Sequence, residues 1–416
     1  MTAGGRGESA FDLLLLDHLP GVGPRTVRRL VHHFGSVAAA LEASDTSFAA
    51  VVGGGQARVS ATARRDSGVH EAVRSALTRA EREGMDVVGW GDPRYPPTLN
   101  HLADPPPVLF LAGRSELLSG KPAVAVVGAR RSTARARDVA RRLGTALARE
   151  GVVVVSGLAL GVDGAAHAGA LRGDGATVAV LGAGVDVPYP RFHARLHTEI
   201  RRRGLLASEF PPGTSAAPHH FPRRNRILAA LADAVVVVEA GDRSGALITV
   251  DHALDLGRDV WAVPGPIDTR ACSGSNRLLA DGARPLVSID AFVAVMADTG
   301  SPEAASHPGP TAAMPRFVDG GQLSLPTPSG TNATGRTTSP EPRGPVEGSS
   351  EAERSPGGRT SLEARLLTAL RDAPAQADEL AQRFDEPIAT ILAVLTILEL
   401  HGEVERLAGM RFRRAA

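Results

Sequence analysis

Through the middle of the chain, short runs of apolar and β-branched residues alternate with segments of helical period. Ala123 to Val127, Val152 to Val155, Thr177 to Leu181, Leu205 to Ala207, Ala234 to Val238 and Asp259 to Val263 show no alternation of polar and apolar positions. Such runs predict strands buried on both faces, as in a parallel sheet. Helical patterns over Ala134 to Glu150, Val162 to Arg172, Arg191 to Arg203, Ile227 to Ala232 and Gly245 to Leu256 supply the crossovers between them. The predicted fold class is therefore α/β, a Rossmann-like, doubly wound, mostly parallel sheet.

Different patterns flank this core. Near the N-terminus, a helix from about Phe11 to His18 runs into Leu19-Pro-Gly-Val-Gly-Pro-Arg-Thr-Val-Arg-Arg-Leu, a Gly-x-Gly hairpin that opens a second helix. This predicts a small helix-hairpin-helix or SAM-like domain. Its hairpin is open to two readings: Gly21 and Gly23 free backbone N–H groups for a phosphate, or they make a tight connector with Val27, Leu30, Val31 and Phe34 packed inward. At the other end, Leu362, Leu366, Leu367 and Leu370 recur at helical spacing, followed by Asp378 to Phe384 and Pro387 to His401 as further helices, and by a hairpin over Glu403 to Phe412. Three helices and a hairpin predict a winged helix. Pro387 to His401 carries no Arg or Lys, which favours a structural or protein-contact role over reading of a DNA groove. The expected domains are 1–80 (helical), 81–300 (Rossmann-like core), 301–360 (a Pro-, Gly-, Ser- and Thr-rich disordered linker) and 361–416 (winged helix).

Composition narrows the chemistry. The chain has 416 residues, a formal net charge of +1 and 4% aromatic residues, so any site for a polyanion must be local. A lone cysteine, Cys272, excludes intrachain disulfides and cysteine metal clusters and fits a reducing, cytoplasmic compartment. The apolar run Leu13 to Leu16 is too short, and too closely bracketed by Asp12, Asp17 and His18, for a signal or a membrane span.

The chemistry-bearing residues fall in loops that follow the predicted strands, where open α/β sheets bind ligands. Gly128-Ala-Arg130-Arg-Ser follows the first, Ser156-Gly157-Leu-Ala-Leu-Gly-Val-Asp163 the second, Gly182-Ala-Gly184 the third and Glu239-Ala-Gly-Asp-Arg243-Ser244-Gly245 the fifth. Between strands lies Phe221-Pro-Arg223-Arg224-Asn225-Arg226, in which three arginines are expected to fan outward as forks for phosphate oxygens. Taken alone, that segment reads equally well as a solvated basic turn. Phe221 reads either as a base-stacking ring or as a hydrophobic staple on the following helix. His219 and His220 flank the segment and read either as DNA contacts or, more commonly for loop histidines, as solvated side chains. The first loop lacks the Gly-x-Gly-x-x-Gly turn of dinucleotide sites, and no serine lies in a Gly-x-Ser-x-Gly elbow. Asp163 and His167, four apart on a helix, read better as a capping carboxylate and a structural histidine than as metal ligands, because no third ligand completes a motif.

In order and spacing, Gly-Ala-Arg-Arg-Ser, Ser-Gly-Leu-Ala-Leu-Gly-Val-Asp-Gly-Ala-Ala-His, Phe-Pro-Arg-Arg-Asn-Arg-Ile, Val-Val-Glu-Ala, Arg-Ser-Gly-Ala-Leu-Ile-Thr and Ala-Val-Pro-Gly resemble the DNA-processing protein A family, also called DprA or Smf, over about Trp90 to Ser288. The resemblance implies a non-catalytic, homodimeric binder of single-stranded DNA that protects incoming strands in natural transformation and loads the RecA recombinase; no cofactor, metal or membrane is expected. It implies that Gly128, Arg130, Ser156, Gly157, Phe221, Arg224, Asn225, Arg226, Arg243, Ser244 and Gly245 contact the strand, and Arg223 joins them from the residue reading. Ala129, Leu160 and Ser275 depart from the family pattern, which usually has a hydroxyl residue, an arginine and a cysteine there. The competing reading is a nucleotide phosphoribohydrolase-type enzyme on a similar sheet, whose Pro-Gly-Gly-x-Gly-Thr-x-x-Glu motif is missing here.

Overall fold

In a computed structural model, residues 9–298 (apart from 174 and 176) and most of 361–414 are described. The chain packs as two compact units, Met1–Phe317 and Val318–Ala416. Within the first, six helices come before any strand: α1 (Ala10–Asp17), α2 (Pro24–Phe34), α3 (Val37–Glu42), α4 (Asp45–Val52), α5 (Ala57–Ala63) and α6 (Ser67–Arg82). Sequence cues set their ends. Ser36, Ser44 and Asp66 accept hydrogen bonds from first-turn amides of α3, α4 and α6, and Gly35 closes α2 in the left-handed conformation.

The sheet follows, with strands β1 (Asp86–Gly89), β2 (Val108–Gly113), β3 (Ala123–Val127), β4 (Val153–Ser156), β5 (Thr177–Val180), β6 (Leu205–Ser208), β7 (Ala234–Val237), β8 (Asp259–Ala262) and β9 (Arg284–Pro285). Their order is β1-β2-β6-β5-β4-β3-β7-β8-β9. Neighbours from β6 through β9 pair in parallel, with β3 beside β4 on one flank (Ala123 opposite Val153) and β7 on the other (Val124 opposite Ala234). The predicted doubly wound sheet is thus present. β1 and β2 were not among the expected strands. They form an antiparallel edge, with Phe110 of β2 opposite Ser208 of β6.

The crossover helices are α7 (Ala134–Arg149), α8 (Val162–Arg172), α9 (Ala194–Arg203), α10 (His220–Ala230), α11 (Ala246–Asp255) and α12 (Ser273–Ala280), and α13 (Ile289–Asp298) follows the last strand. α7 and α8 approach closely because Gly144 and Gly169 face each other's helix: a Cβ on either would collide with the backbone of Ala166 or Arg141. The opposite face of the sheet shares its core with the helical N-terminal part, as Leu13, Leu16, Leu30 and Phe48 cluster with Phe110, Leu206 and Ile200. Burial of so many branched and aromatic side chains, at about 25 cal/mol per Å² of apolar area, holds helices and sheet together.

In the second unit, α14 (Ser361–Asp372), β10 (Ala375–Gln376), α15 (Ala377–Phe384), β11 (Val404–Leu407) and β12 (Arg411–Arg414) enclose a core of Leu366, Leu370, Leu380 and Phe412. The expected hairpin is there, with Val404 opposite Arg414. The expected linker, 301–360, and most of the helix over 387–401 lie outside the described residues. No helix among the described residues is long and apolar enough to cross a membrane.

Candidate nucleic-acid interface

β3 is the point at which the winding of the sheet reverses, with β4 on one side and β7 on the other. Loops leaving β3 and β7 therefore diverge and open a crevice at the carboxyl ends of the strands. Buried Glu239 fixes the two loops to each other: its backbone oxygen accepts from Ala129 N at 2.7 Å, and its carboxylate accepts from Thr133 N at 2.8 Å and Thr133 Oγ1 at 2.6 Å. Thr133 Oγ1 in turn accepts from Ala136 N at 3.1 Å and caps α7. Gly128 is required at the loop entry, since a Cβ there would stand 2.7 Å from Val162 and 2.9 Å from the Glu239 carbonyl.

The basic segment is not a turn. It forms the first two turns of α10, which begins at His220 rather than at Ile227. The arginines accordingly point in different directions, and the expected outward fan is not found. Arg224 is buried: its Nη1 donates to Gly157 O at 2.9 Å and to Val180 O, and its Nε donates to Asn225 Oδ1 at 3.2 Å. Burial lowers its pKa to about 10, so it stays protonated at neutral pH. Gly157 makes this possible, because a Cβ there would overlap the Arg224 guanidinium. The nearby Asp163, also buried, accepts from Gly157 N at 3.2 Å, and burial pushes its pKa up despite the Arg224 charge.

Arg223 and Arg226, three apart on the helix, share another face and turn to Glu209, whose side chain is 1% exposed. Arg226 Nη2 donates to Glu209 Oε2 at 2.7 Å and its Nε to Asp104 Oδ2 at 3.1 Å, while Arg223 Nε donates to Glu209 Oε2 at 2.9 Å. A buried carboxylate demands such partners. That demand, absent from the local motif, is why these two arginines leave the crevice. Ser156 departs from expectation as well, since its buried hydroxyl donates to Val126 O at 2.6 Å. His220 is packed rather than solvated, stacked on Phe210 at 4.1 Å between ring centroids.

What the structure does bring together is substantial. Gly128, Arg130, Phe221, Arg224, Asn225, Arg243, Ser244 and Gly245 line one cleft of about 700 Å³. Gly157 lines a small recess of about 60 Å³ that shares Arg130, Tyr189 and Phe221 with the cleft. Arg130 and Arg243 are exposed at the rim. Asn225 Nδ2 donates to Gly245 O at 3.2 Å and ties α10 to the loop after β7. Phe221 lies under the Arg130 guanidinium (4.7 Å to the ring centroid) and beside Tyr189 (5.5 Å between centroids). Sequence reasoning missed Tyr189, 44% exposed, which arrives from the segment after β5. Its flanking prolines, Pro188 and Pro190, were the available signal. Asp163 and His167 are engaged internally. His167 Nδ1 pairs with Thr177 Oγ1 at 2.7 Å, and burial depresses its pKa to about 3.

Comparison with known proteins places the chain in a family. A sequence model of DNA recombination-mediator protein A matches residues 86–297, and one of the DprA winged helix domain matches 350–410. The chain is 31% identical to Protein Smf of Synechocystis sp. over 96% of its own length and 98% of that protein. It is 43% identical to DNA processing protein DprA of Streptococcus pneumoniae over 47% of this chain and 69% of the relative. Among solved structures, DNA processing protein A of Streptococcus pneumoniae superposes with a TM-score of 0.61 at 32% identity, covering 70% of this chain and 98% of that one.

Proposed function

Since the chain belongs to the DNA recombination-mediator protein A (DprA/Smf) family, we propose that its cleft holds single-stranded DNA and hands it to RecA recombinase without chemical turnover. The observation that carries the reading is the cleft itself. Exposed Arg130 and Arg243, the fixed cation Arg224 and the Phe221–Tyr189 ring pair stand together where the sheet reverses. Cations that track a backbone, with aromatic faces for unpaired bases, grip single strands without regard to sequence. Gly245, with open space where a Cβ would stand, lets backbone come near phosphate, and Ser244 adds a hydroxyl at the rim.

The same side chains support a non-enzymatic role. Asp163 is buried against Gly157, and the Ser156 hydroxyl is spent on a strand carbonyl. Protection of incoming DNA, delivery to RecA, a homodimeric state and a cytoplasmic location rest on family membership and on the lone, buried Cys272.

The test is binding of Arg130→Ala/Arg243→Ala to fluorescent oligothymidylate across salt concentrations. Loss of two charge-assisted contacts at about 1.5 kcal/mol each lowers affinity roughly 100-fold. The slope of log K against log salt becomes shallower by about 1.4, at ~0.7 per single-strand contact. Unchanged affinity and slope would remove the strand from this cleft.

A further inference from the structure

A second basic surface lies away from the sheet, on α2. Arg25, Arg28, Arg29, His32 and His33 recur at intervals of three and four, so they share one helix face, and all five are exposed. The opposite face, Val27 and Leu30, is fully buried. The basic face forms one wall of a groove of about 900 Å³, completed by Ser47, Ala50 and Val51 of α4 and by Ala103. No carboxylate is among the lining residues.

Part of this charge has an internal explanation. Arg29 donates to the carbonyls of Val51 and Val52, at the C-terminal end of α4 where cations are favoured, and Arg28 Nη1 donates to Leu102 O at 2.8 Å. Each guanidinium still has further N–H donors to offer. Arg25 has no such explanation: it has no side-chain partner among the described residues and sits at the second position of α2, where a cation opposes the helix dipole. His32 likewise lacks a polar partner among the described residues. Clustering Arg25, Arg28 and Arg29 at spacings of three and four is unfavourable in a bare helix. A fold that carries this cost with no compensating carboxylate in the groove is built to meet an anion.

The stripe tells which kind of anion. The eight steps from Arg25 to His33, at 1.5 Å rise each, span about 12 Å, longer than one phosphate group and suited to successive phosphates of a chain. The lining contains no Phe, Tyr or Trp, so it offers none of the large stacking faces with which single-strand sites hold unpaired bases. Gly23, at the entry to α2, has open space where a Cβ would stand, which lets a backbone come close. From this we infer that the α2 groove is a second nucleic-acid site that holds the phosphate backbone of duplex DNA, distinct from the cleft on the sheet. The protein then grips a duplex through one surface and unpaired DNA through the other, as at a junction between paired and single-stranded DNA.

The experiment compares the full chain with Arg25→Glu/His32→Glu, both exposed positions, on two fluorescent probes: a blunt duplex and oligothymidylate. A thermal melt first confirms folding: Glu at position 25, in the first turn of α2, is favoured by the helix dipole and Glu at position 32, in its last turn, is disfavoured, so the two effects oppose each other. Expected is a loss of at least tenfold for the duplex, a shallower duplex salt dependence, and unchanged oligothymidylate binding. Arg130→Ala/Arg243→Ala gives the converse pattern, so failure of the cleft reading and failure of the groove reading are separable. Unchanged duplex affinity in Arg25→Glu/His32→Glu overturns the inference. Equal losses on both probes overturn it too, because they make the groove an extension of the single-strand path.

Discussion

Arg226→Ala separates the architecture of α10 from its motif. By sequence, Arg226 is a DNA contact equal to its neighbours. In the structure its side chain is 4% exposed and holds Glu209, 1% exposed, at 2.7 Å. Arg226 Nη1 and Glu209 Oε1 are buried without a partner, so the pair adds little net stability over an apolar equivalent, yet breaking it is costly. Loss of one partner of a buried pair costs about 3–5 kcal/mol. Here Glu209 keeps Arg223, at 2.9 Å and 37% exposed, and the half-exposed Asp104 loses little. The lower end, about 3 kcal/mol, therefore applies. At ~2–3 °C per kcal/mol for a unit of this size, Tm falls by about 6–9 °C. Thermal melts followed by circular dichroism measure it, alongside oligothymidylate binding at a temperature where both proteins are folded. Expected is a large loss of Tm with affinity within a few-fold of the parent. The double variant Arg226→Met/Glu209→Gln recovers most of the stability, because the charges then left without these partners, Arg223 and Asp104, both reach solvent. A variant that melted like the parent and lost DNA as Arg130→Ala does would refute the assignment of Arg226 to the structural network.

The other expectations are narrower. Gly157→Ala drives a methyl into the Arg224 guanidinium; displacement of that cation costs about 1–3 kcal/mol of stability by overpacking and weakens oligothymidylate binding, and a variant unchanged in both would contradict the described packing. Phe221→Ala removes a stacking face at about 1–3 kcal/mol of binding while leaving the salt slope unaltered, and an altered slope would make the ring a mere support for Arg130. Burial lifts Asp17 to about 6 from its ordinary 3.8, against the opposing charges of Arg223 and Arg226. The folded chain then holds a proton that the unfolded chain has released between about pH 4 and 6, so this group's contribution to stability falls as pH rises through that window. Asp17→Asn removes that dependence and raises stability at pH 7 and above, as urea titrations at several pH values can check.

The parallel strands were legible because burial on both faces leaves unbroken apolar runs, such as Ala-Val-Ala-Val-Val at 123–127, which neither a half-exposed strand nor an amphipathic helix produces. The edge hairpin of β1 and β2 was harder to read. Val108 to Ala112 is as apolar as the central strands, but its pairing is antiparallel and its preceding element is a loop rich in proline. Most of the cleft lining could be read because glycine, serine and arginine after a strand are unusual and chemically legible. The fate of the individual arginines was not. Helical phase alone separates Arg224 from Arg223 and Arg226, but which face meets the crevice depends on Glu209, a residue beyond the end of β6. Buried carboxylates act over long sequence separations, and nothing local to Phe221–Arg226 announces one.

The division of labour among the arginines bears on how a near-neutral chain can bind a polyanion. Arg130 and Arg243 are exposed and can follow a flexible backbone, but their attraction is weakened by solvent and salt. Arg224 cannot move. It is held by the carbonyls of Gly157 and Val180 and by Asn225, beneath the cleft, where water screens it little. Its charge was desolvated on folding, so no reorganisation is needed when a phosphate arrives, whereas the rim arginines must give up side-chain freedom on binding. Asp163 tempers the buried cation without neutralising it, since burial raises the pKa of that carboxyl and weakens its hold on the charged form. One fixed and two mobile cations are enough to favour phosphate at this rim and set no register along the strand. For the strand proposed to lie in this cleft, the arrangement predicts binding without regard to sequence, because none of these cations is positioned by a group that reads a base edge.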